Sequence, residues 1–189
     1  MEKGRYFLTL SFKGTAYSGW QSQPGAKTVQ GCIEDALSVI LQEEIRITGA
    51  GRTDTGVHAR YFVAHFDTGN KSLSTDDLVF KLNSYLPVDI AIISLRMVRN
   101  DAHARFDAIS RTYMYIISSR KDPFSINQAT YIRKELDLDA MNLAAGFLKE
   151  YSDFTSFSKL HTDVKTNNCK IYHARWFEED NKIIFEIRA

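Results

Sequence analysis

Two hydrophobic periodicities alternate along the first half of the chain, and their order limits the fold more than any other feature. From residue 5 to 12, Leu8, Leu10 and Phe12 fall on one face and Phe7, Thr9 and Ser11 on the other, the two-residue period of a strand. From 29 to 42, Ile33, Ala36, Leu37, Ile40 and Leu41 recur at helical spacing behind Thr28 as N-cap, so this segment is an amphipathic helix whose apolar stripe needs a sheet to cover. Ile45 and Ile47 mark a short strand, Gly51 to Gly56 a loop, and residues 61 to 67 a strand with Phe62, Ala64 and Phe66 on one face. A second helix starts at Ser74 or Thr75, carries Asp76 and Asp77 where the helix dipole favours them, and stops by Leu86 because Pro87 follows. Residues 90 to 98 form the closing strand.

The order strand, helix, strand, strand, helix, strand then begins again. Residues 105 to 118 read as a long strand. Asp137 caps a helix with Met141, Ala144, Ala145 and Leu148 on one stripe, and strands at 169 to 177 and 182 to 188 are joined by the Glu179-Asp180-Asn181 turn. A second copy of the first half would lack its final helix and strand. The expected organisation is therefore an N-terminal half over 1–104 and an incomplete second half over 105–189, α/β (α+β) in class, with a mixed, largely antiparallel sheet covered by helices. The strand at 182 to 188, or whichever strand a missing one would pair with, is expected as an open edge. It would expose Ile183, Phe185 and Ile187 or, on the opposite face, Ile184.

At 189 residues, with 44% hydrophobic and 25% charged side chains and only 3 Pro, the chain sits at the globular average, which excludes disordered and low-complexity classes. Cys32 and Cys169 are the only cysteines, too few for a disulfide framework or a zinc site, and are read as reduced. The five histidines, His58, His65, His103, His161 and His173, show no metal-ligand spacing, so no metal is expected. No apolar run reaches membrane-spanning length and no signal-like segment follows Met1, which predicts a soluble, cytoplasmic protein with no membrane partner. Twenty-four Lys and Arg against 23 Asp and Glu leave the chain nearly neutral, so any basic footprint must be local.

Two stretches carry chemistry. In Gly49-Ala50-Gly51-Arg52-Thr53-Asp54-Thr55-Gly56-Val57-His58-Ala59, three glycines surround one carboxylate in a loop between strands. Most aspartates in such turns only bond their own backbone. With Arg52 two residues away, however, Asp54 has a partner to hold it ionised, as a nucleophile or base at neutral pH requires. Asp54-Thr55-Gly56 also matches the aspartic-protease triplet, which a homodimer would supply twice, yet a charged Arg52 precedes it where an apolar strand is needed. Glycoside hydrolysis needs a second carboxylate, and no feature nominates one.

The second stretch is Ala102-His103-Ala104-Arg105-Phe106-Asp107-Ala108, followed by Arg111-Thr112-Tyr113-Met114-Tyr115. Between residues 96 and 121 six Lys and Arg face two Asp, a local balance of +4 (6 − 2). A two-residue period puts Arg111, Tyr113 and Tyr115 on one face. Cations for phosphate and rings for bases suit RNA, although a solvated sheet face with half-buried tyrosines has the same composition. Trp20, in the loop Tyr17 to Gln23, is read as a core plug.

Taken together, these stretches resemble the TruA-type tRNA pseudouridine synthase family. The resemblance rests on Gly19-Trp20-Gln21-x-Gln23, Thr28-Val29-Gln30, the Gly49 to Ala59 run, His65-Phe66, Leu82-Asn83-x-x-Leu86-Pro87-x-Asp89-Ile90, His103-Ala104-Arg105-Phe106, Arg111-x-Tyr113-x-Tyr115 and Asp153-Phe154-Thr155-Ser156-Phe157. It implies two ferredoxin-like halves sharing one central sheet, and a homodimer that isomerises uridine in the anticodon stem-loop of tRNA without a cofactor. Asp54 takes the catalytic position and Tyr113 lies against the target base, with Arg52, His58, His103 and Arg105 as further substrate-binding residues. The main rival is a non-catalytic RNA-binding module, which would leave the glycine-flanked carboxylate without a purpose.

The chain departs from the family at Ala102, where Phe is usual, and at Tyr61-Phe62-Val63, where Gly-Gln-Val is usual. It ends at Ile187-Arg188-Ala189, before the helix whose Met-Val-Arg motif supplies a basic residue to the catalytic aspartate, so a truncated chain and a cleft open on one side are expected.

Overall fold

The computed structural model describes residues 3–70, 74–158 and 166–189. Two compact units divide at Ala108 and Ile109. The first builds β1 (Gly4–Phe12), α1 (Val29–Leu41), β2 (Ile47–Gly49), β3 (Ala59–Thr68), α2 (Thr75–Tyr85) and β4 (Ile90–Val98). The second builds β5 (Thr112–Ser118), β6 (Thr130–Tyr131), α3 (Leu138–Phe147), β7 (His173–Glu179) and β8 (Lys182–Arg188).

In the first unit every strand pair is antiparallel, in the order β2-β3-β1-β4. The alternation of β1 is realised as read, with Tyr6, Leu8, Leu10 and Phe12 buried together with Ala64 and Phe66 of β3, its neighbour in the sheet. Ile33, Ala36 and Leu37 of α1 and Leu78 and Leu82 of α2 belong to the same core, so the helical stripes meet the sheet their period requires. Thr28 caps α1, its side chain accepting the Gly31 N–H at 3.2 Å, and Ser74 caps α2. Leu86 ends α2 before Pro87. Among the described residues no helix is long and apolar enough to cross a membrane.

Helix and edge strand are joined by a side-chain clamp. Asn83 of α2 donates to the Ile92 carbonyl at 2.9 Å and accepts the Ile92 N–H at 2.7 Å. The clamp sits where the β1–β4 register slips between Thr9 and Leu10, so the amide satisfies backbone groups that the ladder leaves behind. Asn142 of α3 does the same for Trp176 on β7, at 3.0 and 2.8 Å. Both β4 and β7 are sheet edges, and the clamps help tie them down.

The second sheet runs β6-β5-β8-β7, antiparallel except for the short parallel β5–β6 pairing. The mixed, largely antiparallel α+β class stands, with one four-stranded hydrogen-bonded sheet described in each unit. The strand expected from 105 begins only at Thr112, because residues 103 to 107 satisfy their backbone with side chains in a turn. That turn bonds to β3 and belongs to the first unit, which runs to Ala108.

β8 is not an edge: it lies between β5 and β7, and Ile183 and Ile184 are buried. The lightly covered side is that of β5, where β6 pairs only with Ile117 and Ser118. β7 starts at His173 rather than 169, and Asp180 and Asn181 alone, both at positive φ, make the hairpin turn. Ala145 is the buried residue of the α3 stripe, while Ala144 is exposed. His161 lies outside the described residues.

Replacing Asn83 with Ala orphans the Ile92 N–H and carbonyl together, and is expected to cost about 1–3 kcal/mol in denaturant unfolding. A variant as stable as the parent would show that the clamp contributes nothing.

Candidate active site

The loop carrying Asp54 leaves β2 at Gly49 and enters β3 at Ala59. Its start is set from the core side. Glu34, buried on α1, accepts the Ile47 N–H at 2.9 Å and the Gln30 amide at 2.9 Å, and Gln30 in turn donates to the Ile47 carbonyl at 3.1 Å. Trp20 is 2% exposed and packs against Phe62 at 4.3 Å between ring centroids, the plug expected of it.

Two contacts hold the loop itself, one from backbone to backbone and one from backbone to the His58 ring. Trp20 N–H donates to the Thr53 carbonyl at 3.1 Å, and Gly19, at φ +84°, approaches so closely that a Cβ there would lie 2.4 Å from the same oxygen. On the other side Gly14 N–H donates to His58 Nδ1 at 2.9 Å, and a Cβ on Gly14 would lie 2.0 Å from the Val57 carbonyl oxygen. Between these clamps Asp54 accepts the Val57 N–H with its own carbonyl at 3.2 Å, closing a turn that leaves the Asp54 side chain exposed. Thr53 Oγ1 is buried without a hydrogen-bond partner.

The Gly14 side is braced further. Lys13 N–H donates to the Asp89 carbonyl at 2.8 Å, and the Tyr17 hydroxyl donates to Asp89 Oδ1 at 2.5 Å. Burial and this carboxylate together push the Tyr17 phenol well above its ordinary range. Asp89 is thus a brace for the clamp, a role that its motif alone did not reveal.

Arg52 and Asp54 are both exposed, and none of the ion pairs of the described residues joins them. The expected pairing fails because two solvated side chains gain little from meeting, about 0–1 kcal/mol. His58 is partly buried and its Nδ1 is spent on Gly14, so its neutral form carries the proton on Nε2.

His103 and Arg105 belong to the turn after β4. His103 Nδ1 accepts the N–H groups of Arg105 and Phe106 at 3.2 and 3.3 Å, and Asp107 Oδ2 accepts the His103 N–H at 2.8 Å. Arg5 grips Asp67 with two 2.7 Å bonds and donates to the Ala102 carbonyl at 3.0 Å, which holds the Asp67 carboxyl below its usual range. His65 Nδ1 accepts the Ala104 N–H at 3.2 Å.

In the second unit Tyr113 is 51% exposed on β5, opposite Ile187, and the Tyr115 hydroxyl shares a 2.7 Å bond with Thr130 Oγ1. Arg111 precedes the strand and pairs its backbone with Ala189. Among the described residues no three His, Cys, Asp or Glu side chains group as for a metal. A groove of about 280 Å³ lined by Ile40, Phe80, Lys81, Ser84 and Tyr85 involves none of these residues.

A family model for tRNA pseudouridine synthases matches residues 9–107. The chain belongs to the tRNA pseudouridine synthase family. The match runs from β1 through the turn after β4, and so includes Arg52, Asp54, His58, His103 and Arg105. The tRNA pseudouridine synthase A of Bacteroides fragilis is 50% identical over 190 residues, covering 100% of this chain and 75% of its own length. That of Parabacteroides distasonis is 50% identical over 188 residues, covering 98% and 73%. The tRNA pseudouridine synthase A 2 of Clostridium perfringens is 37% identical over 184 residues, covering 96% and 75%. These alignments extend over the second unit, and hence over Tyr113. Membership of a pseudouridine synthase family favours neither the aspartic-protease reading nor the non-catalytic one.

His65 is 6% exposed, and burial, then the charge of Arg5, then His103 lower its pKa to about 4, against weaker opposition from Asp67 and Asp107. The unfolded chain therefore binds a proton that the folded one refuses, and stability is complete above the ordinary histidine pKa and falls as pH drops toward the folded value. Between about pH 7 and pH 5, where carboxylates stay ionised, His65 accounts for a loss on the order of 1–2 kcal/mol. His65→Gln, which still offers an acceptor but does not titrate, should flatten that slope in denaturant unfolding. An unchanged slope would contradict the assignment.

Proposed function

We propose that Asp54 is the catalytic carboxylate of a uridine-to-pseudouridine isomerisation on tRNA, and that Tyr113 stacks against the target base. The observation that carries the reading is the exposed Asp54 side chain on a loop whose backbone is clamped on both sides, at Thr53 and at Val57 to His58. Such a loop presents a carboxylate while fixing its position, as a group acting on a bound substrate requires.

The chemistry sets the remaining demands. The bond from ribose C1′ to N1 of uracil breaks, the base turns, C1′ bonds to C5, the C5 proton leaves and N1 gains one. The sum of atoms and electrons is unchanged, so no redox partner or group donor takes part. A carboxylate serves either by adding to the sugar or by abstracting a ribose proton, and both roles require it ionised and accessible. The base must leave the stack to be reached, at a cost of a few kcal/mol that an exposed tyrosine ring offsets by about 1–3 kcal/mol.

We propose further that the target lies in the anticodon stem-loop and that the protein acts in the cytoplasm as a homodimer. Maps of pseudouridine in tRNA with and without the gene read the first, and sedimentation reads the oligomeric state.

Asp54→Asn removes the charge and basicity with almost no change in volume. It is expected to lower pseudouridine formation in a tRNA transcript by about 10²–10⁴-fold while tRNA affinity holds within a few fold. Residual turnover within about tenfold of the parent would sink the assignment.

A further inference from the structure

The turn after β4 orders far more than a connection needs. Four backbone N–H groups, those of His103, Ala104, Arg105 and Phe106, are each satisfied by a side chain, from Asp107, His65, His103 and His103 respectively. A fifth, that of Asp107, donates to the His103 carbonyl at 2.9 Å, and Arg5 anchors the Ala102 carbonyl. At the end of this scaffold stands Phe106, 75% exposed although the side chains around it are fixed. His103 stacks on it at 4.2 Å between centroids with 30° between planes, and His103 itself lies edge-on to buried His65 at 4.7 Å. The Arg105 guanidinium lies 6.0 Å from the Phe106 centroid, at the outer limit of a cation–π contact.

An exposed phenylalanine on a mobile loop would be unremarkable, but one propped by a ring that is itself hydrogen-bonded twice is a rigid aromatic surface. Arginine next to it supplies the charge that a phosphate backbone seeks, within a segment whose local charge is positive. Rigid ring plus adjacent cation is the combination that holds unpaired nucleotides, since every base has a stacking face whatever its sequence.

We propose that Phe106 is a stacking platform for an unpaired nucleotide of the tRNA, with His103 as its positioning residue and Arg105 as the contact to that nucleotide's phosphate. The proposal rests on the tRNA reading above, and concerns a base additional to the one assigned to Tyr113.

Binding of an unmodified tRNA transcript at one fixed salt concentration tests it. Phe106→Ala and Phe106→Leu should weaken binding by about 5- to 150-fold, and Phe106→Tyr should bind within about threefold of the parent. Equal affinity of the Leu and Tyr variants overturns the proposal, because bulk alone would then suffice. F106W gives a second readout independent of those variants: its added emission should shift with tRNA and not with a fully paired RNA duplex. An emission that tRNA leaves unmoved, or that duplex shifts equally, overturns the platform.

The same emission measured in D54N separates the two claims. A shift there, with turnover lost, supports both. Turnover retained in D54N defeats the Asp54 assignment and leaves the platform standing on its own result.

Discussion

The close approach of two backbones on either side of the Asp54 loop is the constraint on which the site depends. At Gly19 and Gly14 the chain after β1 comes within a distance of Thr53 and Val57 that admits no Cβ, and hydrogen bonds to Thr53 and His58 form across the same gaps. At Thr53 backbone is held to backbone, and at His58 the ring is held by the Gly14 N–H, so the loop loses much of its freedom before substrate arrives. The clamps are in turn supported from below. Glu34 and Gln30 pin Ile47 at the loop's origin, and Asp89 ties down Lys13 and Tyr17 beside Gly14. The buried polar groups that look costly in a small core are thus the ones that set the backbone on which Asp54 stands.

A second chain of polar contacts leads from β1 and β3 to the turn at 103 to 107. Arg5, Asp67, His65 and His103 connect the sheet to Arg105 and Phe106, and the contacts to the turn require His65 and His103 to accept at Nδ1. Protonation of His65 would place a donor against the Ala104 N–H, which is why the low pKa of that ring and the order of the turn belong together.

Legibility in the sequence followed the range of the interaction. The faces of β1, α1 and β3, and the caps at Thr28, Ser74 and Asp137, are local patterns, and each formed as its period or cap residue required. Asp54 stood out by its glycines and motif, and the glycine at 19 was visible inside a motif without its partner Thr53 being so. What failed to show were choices between local and distant partners. Residues 105 to 111 read as the start of a long strand, yet the side chains of His103 and Asp107 take the backbone donors of His103, Arg105 and Phe106 into a turn, and β5 begins at Thr112. Arg52 and Asp54 are near in sequence, but in solvent that nearness does not make a pair. That β8 lies between two strands is a matter of sheet order that no local period encodes.

The most direct measurement of the central claim is release of the C5 hydrogen, as tritium, from tRNA labelled at uridine C5, by the parent protein and by Gly19→Ala. This substitution changes neither Asp54, Arg52 nor any other residue of the turn, and acts only by driving a Cβ against the Thr53 carbonyl from a left-handed backbone position. If the clamp sets the carboxylate, release falls by about 10²-fold, as a misplacement near 1 Å would produce, while the variant still binds tRNA. A folded Gly19→Ala protein that releases tritium at the parent rate would contradict the account.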